Sequence, residues 1–314
     1  LTAAFFIGLS GSVAAFTPND PDLYRQPYLN TVKAQTAWDI VRNFTLQREV
    51  VIALLDTGVY IDHPDLAGSI WQNPDEIAGD GIDNDSNSYI DDVNGWDFLL
   101  SVPDPRPKMT DENFSFDAVN HGTVVAGIIA AEADNNIGIA GAAYRVKVMP
   151  IRVLDSKGAG NTLLLAQAVD YAVENGADVI NLSLVGDIED PRLSESIDAA
   201  YRAGVAVIAA SGNREESGVD LNSSPRYPVC DSDSVNRVLG VAAVDRNNKL
   251  ASFSNFGSSC IDISAPGENL YSTVVHSDTD PQFANYYTDG WSGTSVAAPL
   301  VSSAVALIKK VAPN

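Results

Sequence analysis

The chain has 314 residues, 45% of them hydrophobic, and sets 19 Lys plus Arg against 41 Asp plus Glu, for a formal charge of −22 and a pI near 4.2. That length can bury one large core. The excess of acid argues against nucleic acid as a partner, because a polyanion is held by a basic face that releases its counterions.

In chain order, LTAAFFIGLSGSVAA (1–15) is an apolar run ending in small residues, like the hydrophobic stretch and cleavage site of an export signal. It is too short to cross a bilayer, as is every other apolar run. No membrane span is therefore expected, and the protein is expected to be secreted or to sit at the cell surface. The runs VVIALLD (50–56), VKVMPIRVL (146–154), DVINLSL (178–184), VAVIAASGN (205–213), VLGVAAV (238–244) and IDISAP (261–266) each read as a strand buried on both faces. Helical stretches lie between them: one beginning near His121, then 161–176, 191–204 and 294–310. Such alternation implies right-handed βαβ crossovers, hence an α/β fold of three layers with a mostly parallel sheet flanked by helices. Functional residues collect beyond the carboxyl ends of such strands, where Asp56 and Asn213 stand. Residues 72–120 interrupt the rhythm with an aspartate-rich insertion that fits neither strand nor helix. The two cysteines, Cys230 and Cys260, neither demand a disulfide nor exclude one.

Asp56-Thr57-Gly58, His121-Gly122-Thr123 and Gly293-Thr294-Ser295 could each be a turn, a cap or a close-packed helix end. Together they bring an Asp, a His and a Ser in that order, each at the boundary of a predicted element. Acyl transfer needs such a set: a serine hydroxyl is a weak nucleophile until an imidazole takes its proton, and a carboxylate fixes the imidazole's tautomer. The order differs from the Ser, Asp, His of α/β-hydrolases, and the fifth position of a GxSxG motif is here Ala297.

ALLDTGVYIDHPDL (53–66), NHGTVVAGIIAA (120–131), VINLSL (179–184), AASGN (209–213) and SGTSVAAPLVSSAVAL (292–307) resemble the signature blocks of the subtilisin-like serine peptidases. The likeness runs from about Thr17 to Lys310, and TPNDP (17–21) is similar to the mature start of thermitase-like members. The resemblance implies a secreted endopeptidase acting on polypeptides, with Asp56, His121 and Ser295 as triad and Asn213 as oxyanion donor. It also implies a cleft in which Leu182-Ser183-Leu184 pairs with extended substrate, completed by Val185 and by Ala210, Ser211 and Gly212. Val185 stands where relatives usually have glycine and should narrow the pocket for the residue before the cut. Arg226 either lies near that pocket's floor, favouring acidic side chains, or is a solvated loop arginine.

Residues 83–92 place oxygen side chains at alternate positions, as calcium loops do, although Ser88 replaces the glycine of an EF-hand and no glutamate holds the twelfth place. Asp83, Asp85, Asn87 and Asp92 are the expected ligands, with the Tyr89 carbonyl. A second calcium site, implied by the thermitase-like members, would use Asp20, Asp65 and Asn135. The expected organisation is a leader over 1–15 and a peptidase domain over 16–314 that carries the acidic insertion at about 72–100. Relatives usually continue further after the nucleophile helix, so the C-terminus is expected to be short. A monomer is expected, with a propeptide or inhibitor supplied outside this chain. The competing reading is a catalytically silent or truncated domain of the same fold, serving as a binding or surface module.

Overall fold

The computed structural model describes residues 16–44, 48–109, 111, 113–214, 216–231 and 235–312; the signal-like run 1–15 lies outside the described residues. Two short helices, α1 (Pro27–Thr31) and α2 (Ala34–Arg42), precede the sheet. The chain then runs β1 (Val51–Asp56), β2 (Trp96–Asp97), α3 (Phe116–Ala130), β3 (Lys147–Arg152), α4 (Thr162–Glu174), β4 (Val179–Leu182) and α5 (Pro191–Arg202). It continues through β5 (Ala206–Ala210), β6 (Val238–Val244), β7 (Ile263–Pro266), β8 (Leu270–Thr273), β9 (Tyr287–Trp291) and α6 (Thr294–Val311).

Seven strands form one parallel sheet in the order β2-β3-β1-β4-β5-β6-β7. Side chains of β1 alternate between its faces, as a period of two requires. Ile52 and Leu54 pack with Val124, Val125 and Ile128 of α3 and Leu300 and Val301 of α6. Val51, Ala53 and Leu55 face the other way, toward Leu165 and Val169 of α4 and Leu193 and Ile197 of α5. Both faces of the sheet are thus covered, which is why its central strands read as unbroken apolar runs. Helix α6 has the length and hydropathy of a membrane span, but it is packed in the core under β4 to β7.

Side-chain caps set the starts of α3, α4 and α5. Asn161 accepts from the Leu164 N–H at 2.9 Å, and Asp190 from the Arg192 N–H at 2.9 Å ahead of Pro191. Helix α3 begins five residues earlier than a start at His121, because Ser115 caps it and Phe116 opens the first turn. This places His121 inside the helix rather than at its end. β7 departs from the expectation of burial on both faces: it is the edge strand, and Ile263 is 49% exposed.

Cys230 and Cys260 are joined, closing a loop of 30 residues. Removing such a cross-link from the unfolded ensemble costs roughly 3 to 4 kcal/mol of stability. The double Cys→Ser variant is therefore expected to unfold at markedly lower urea; coincident midpoints would contradict this.

Candidate active site

Asp56 is the last residue of β1 and is almost fully buried. Its Oδ1 accepts from the Thr57 N–H at 2.7 Å and the Thr57 hydroxyl at 3.2 Å, while both carboxylate oxygens face His121 Nδ1, at 2.8 and 3.0 Å. A carboxylate only accepts, so Nδ1 carries the proton and Nε2 keeps its lone pair for a second partner. Burial pulls the His121 pKa down, but the charge and hydrogen bond of Asp56 outweigh it and the net shift is upward. Thr57 also ties the two elements, accepting from the Gly122 N–H at 3.2 Å. The ring's hydrogen bonds run to Asp56; none joins it to the Ser295 hydroxyl in this structure.

Ser295 is in the first turn of α6, whose interior contains Pro299. A proline has no N–H to offer the carbonyl four residues back, which leaves the Ser295 carbonyl free. The Ser183 hydroxyl donates to it at 2.7 Å. A buried chain stands behind this bond: the Ser302 hydroxyl donates to Asn181 Oδ1 at 2.8 Å, and Asn181 Nδ2 to Ser183 Oγ at 3.0 Å. β1 and β4 pair with Leu55 opposite Leu182, so one step further Asp56 stands beside Ser183. The Asp56–His121 pair and Ser295 are thereby brought to one end of the sheet. Asn213 joins them: its Oδ1 accepts from the Thr294 N–H at 2.8 Å, turning Nδ2 outward. A Cβ on Gly293 would stand 3.0 Å from Ser295 Oγ and 3.2 Å from Asn213 Nδ2, so the two groups border one small space.

The expected cleft needs correction at its inner end. Leu182 is fully buried and paired on both sides, to β1 and β5, so it has no open edge for substrate. Ala210 and Ser211 are also buried and support the wall from behind, whereas Leu184, Val185 and Asn213 reach the surface. Arg226 is neither free nor simply solvated: Asp187 holds its guanidinium at 3.1 Å. An apolar pocket of about 470 Å³ opens beside Val185, lined by Leu154, Leu165, Leu184, Leu193 and Tyr227 among others.

In the acidic insertion, carboxylate oxygens of Asp83, Asp85 and Glu76 lie within 4.8 Å of one another. Glu76 was not visible to sequence spacing because it lies seven residues before Asp83. It arrives by folding back, its Oε1 accepting from the Asn84 and Asp85 N–H groups. Asp92 is buried below the cluster and takes bonds from the Tyr171 hydroxyl at 2.6 Å, Asn73 Nδ2 at 2.9 Å and Asn87 Nδ2 at 3.2 Å. Asn87 Oδ1 accepts from the Tyr89 N–H. At the other expected site Asp20, Asp65 and Asn135 do converge. Asp65 accepts from Asn135 Nδ2 at 2.8 Å, the Ile139 N–H at 3.0 Å and the Tyr287 hydroxyl at 3.1 Å. Both oxygens of Asp20 face the Asp134 N–H. Burial pushes the Asp65 carboxyl up to about 7, against the hydrogen bonds that hold it down.

Residues 47–314 match the model of the subtilase family. The chain is 34% identical to thermitase of Thermoactinomyces vulgaris over 294 residues, 93% of this chain and 85% of that protein. It is 35% identical to a thermophilic serine proteinase of Bacillus sp. strain AK1, over 96% of this chain and 62% of that protein. In three dimensions it is similar to a protease from Pseudoalteromonas arctica, with a TM-score of 0.71 and 31% identity over 94% of this chain and 87% of that one. Relatives of similar identity include both extracellular and intracellular proteases by name.

Proposed function

This chain belongs to the subtilase family and is a serine protease of the subtilisin type, and we propose that Asp56, His121 and Ser295 are its triad, with Asn213 as oxyanion donor. The observation that carries the reading is the Asp56–His121 pair at the same end of the sheet as a serine whose carbonyl is held by Ser183 and whose hydroxyl borders the same small space as the Asn213 amide. His121 Nε2 takes the Ser295 proton as Oγ attacks the peptide carbonyl, and later returns it to the leaving amine. Asn213 Nδ2 donates to the oxygen as it gains charge. We further propose that residues 16–314 form one peptidase domain acting as a monomer on polypeptides outside the cell, consistent with those relatives that are extracellular by name.

The upward shift of His121 fixes a pH dependence. A protonated imidazole cannot act as base, so kcat/KM on a peptide is expected to fall with decreasing pH through one ionisation above the ordinary histidine value of about 6.5. An acid limb centred below that value would contradict the assignment.

The acidic insertion suits a hard divalent cation. Calcium takes oxygens at about 2.3–2.6 Å, so ligands on opposite sides of one ion are about 5 Å apart, close to the spread of the Glu76, Asp83 and Asp85 oxygens. These three residues, with Asn87 and the Tyr89 carbonyl beside them and Asp92 beneath, would hold calcium. The ion would supply stability and no chemical step. For the second site the fit is weaker, since protein donors already serve Asp20 and Asp65.

A further inference from the structure

The pairing of β4 with β5 sets Leu182 opposite Ala209. Carried three residues past the strand ends, the same register sets Val185 opposite Gly212, the neighbour of Asn213. Gly212 has φ +88°, and a Cβ built on it would lie 2.8 Å from Val185 Cγ2. The isopropyl group therefore reaches across to the facing backbone and closes the gap between the two strand extensions at that level. Val185 is 37% exposed, so it faces the cleft and not the core.

Both walls of this gap are pinned. On one side Gly186 and Tyr227 exchange backbone hydrogen bonds of 2.7 and 2.9 Å, and the Arg226–Asp187 pair spans the next position of the same bridge. On the other, the Gly212 N–H donates to the Thr294 hydroxyl at 3.0 Å, and the Gly212 carbonyl accepts from the Asn255 N–H at 3.0 Å. A valine is stiff about χ1, so neither backbone nor side chain gives way easily.

Gly212 is the neighbour of Asn213, so a peptide carbonyl seated between Ser295 Oγ and Asn213 Nδ2 would bring the side chain of its own residue to the gap beside Gly212. We infer that Val185 is a specificity-determining residue that restricts the position before the cut to glycine, alanine or serine. This rests on the peptidase reading above and names the substrate class of that site. Selectivity comes from excluded volume: each methylene that a pocket cannot take costs about 10-fold or more in kcat/KM.

The test is a set of tetrapeptide p-nitroanilides differing only in the residue before the cleaved bond, with Gly, Ala, Ser, Phe and Glu there. Wild type, Val185→Ala and Val185→Gly are compared per active site, counted by fluorophosphonate titration so that misfolded protein does not enter the ratio. Wild type is expected to favour Ala over Phe at least about 10-fold in kcat/KM, and Val185→Gly to raise the Phe/Ala ratio at least about 10-fold, with Val185→Ala between. A wild-type preference for Phe, or a ratio unmoved by Val185→Gly, overturns the inference. Full labelling with a Phe preference would remove only this inference, whereas a folded chain that takes no label would remove the peptidase reading itself.

Discussion

Ser295→Ala is expected to lower kcat for peptide hydrolysis by about 2 × 10⁶, with His121→Ala costing about as much and Asp56→Ala about 3 × 10⁴; these magnitudes were measured on the triad of subtilisin, a relative, and are carried over from it. The physical ground is that nucleophile and base act as a unit: without Ser295 there is no hydroxyl for His121 to activate, and without His121 the hydroxyl stays protonated. Asp56 is worth less because it acts through the ring, holding Nδ1 at 2.8 Å and favouring the charged imidazole. Asn213→Ala should cost about 10² to 10³ in kcat, again the size found in subtilisin. Turnover of a peptide p-nitroanilide by each purified variant checks the series. Ser295→Ala activity near that of wild type would refute the assignment.

The second large effect concerns stability. An ion bound only by the folded state stabilises it by about 4 kcal/mol when its free concentration is 1,000 times its Kd. In a chain of this size that corresponds to a melting temperature about 6 °C higher. Chelation should therefore lower the melting temperature of the Ser295→Ala protein, a background in which self-digestion cannot blur the transition. In the Glu76→Gln/Asp83→Asn variant the response to calcium should shrink to a small remainder. The sign follows from charge: three carboxylates within 4.8 Å repel one another unless a cation sits among them. Melting temperatures indifferent to calcium in both proteins would refute the site.

The strands that carry the site were legible because each is buried on both faces, so VIALLD appears as an apolar run closed by Asp56, and AVIAA as one that leads through Ser211 and Gly212 to Asn213. β7 looked the same in sequence but lies at the edge, where one neighbour is missing. β2 has only two residues and no apolar run; it is fixed instead by the buried pair of Arg152 with Asp97 at 2.8 Å. The β8–β9 hairpin also left no signal, since it is held to α3 by hydroxyls, Ser272 to the Val124 carbonyl and Thr273 to the Thr123 carbonyl. Within the site, Asp56, His121, Ser295 and Asn213 were readable as motifs. The Ser302–Asn181–Ser183 chain was not, because its members come from separate elements and meet only after packing. Val185 was readable as an unusual residue, but its contact with Gly212 needed the register of two strands.

Labelling with a fluorophosphonate tests the central claim most directly, because the reagent needs an activated serine and not merely the fold. The account predicts one adduct per folded chain, mapped by peptide mass to Ser295 and strongly slowed in His121→Ala. A folded chain that stays unlabelled, or one labelled at another serine, would contradict it.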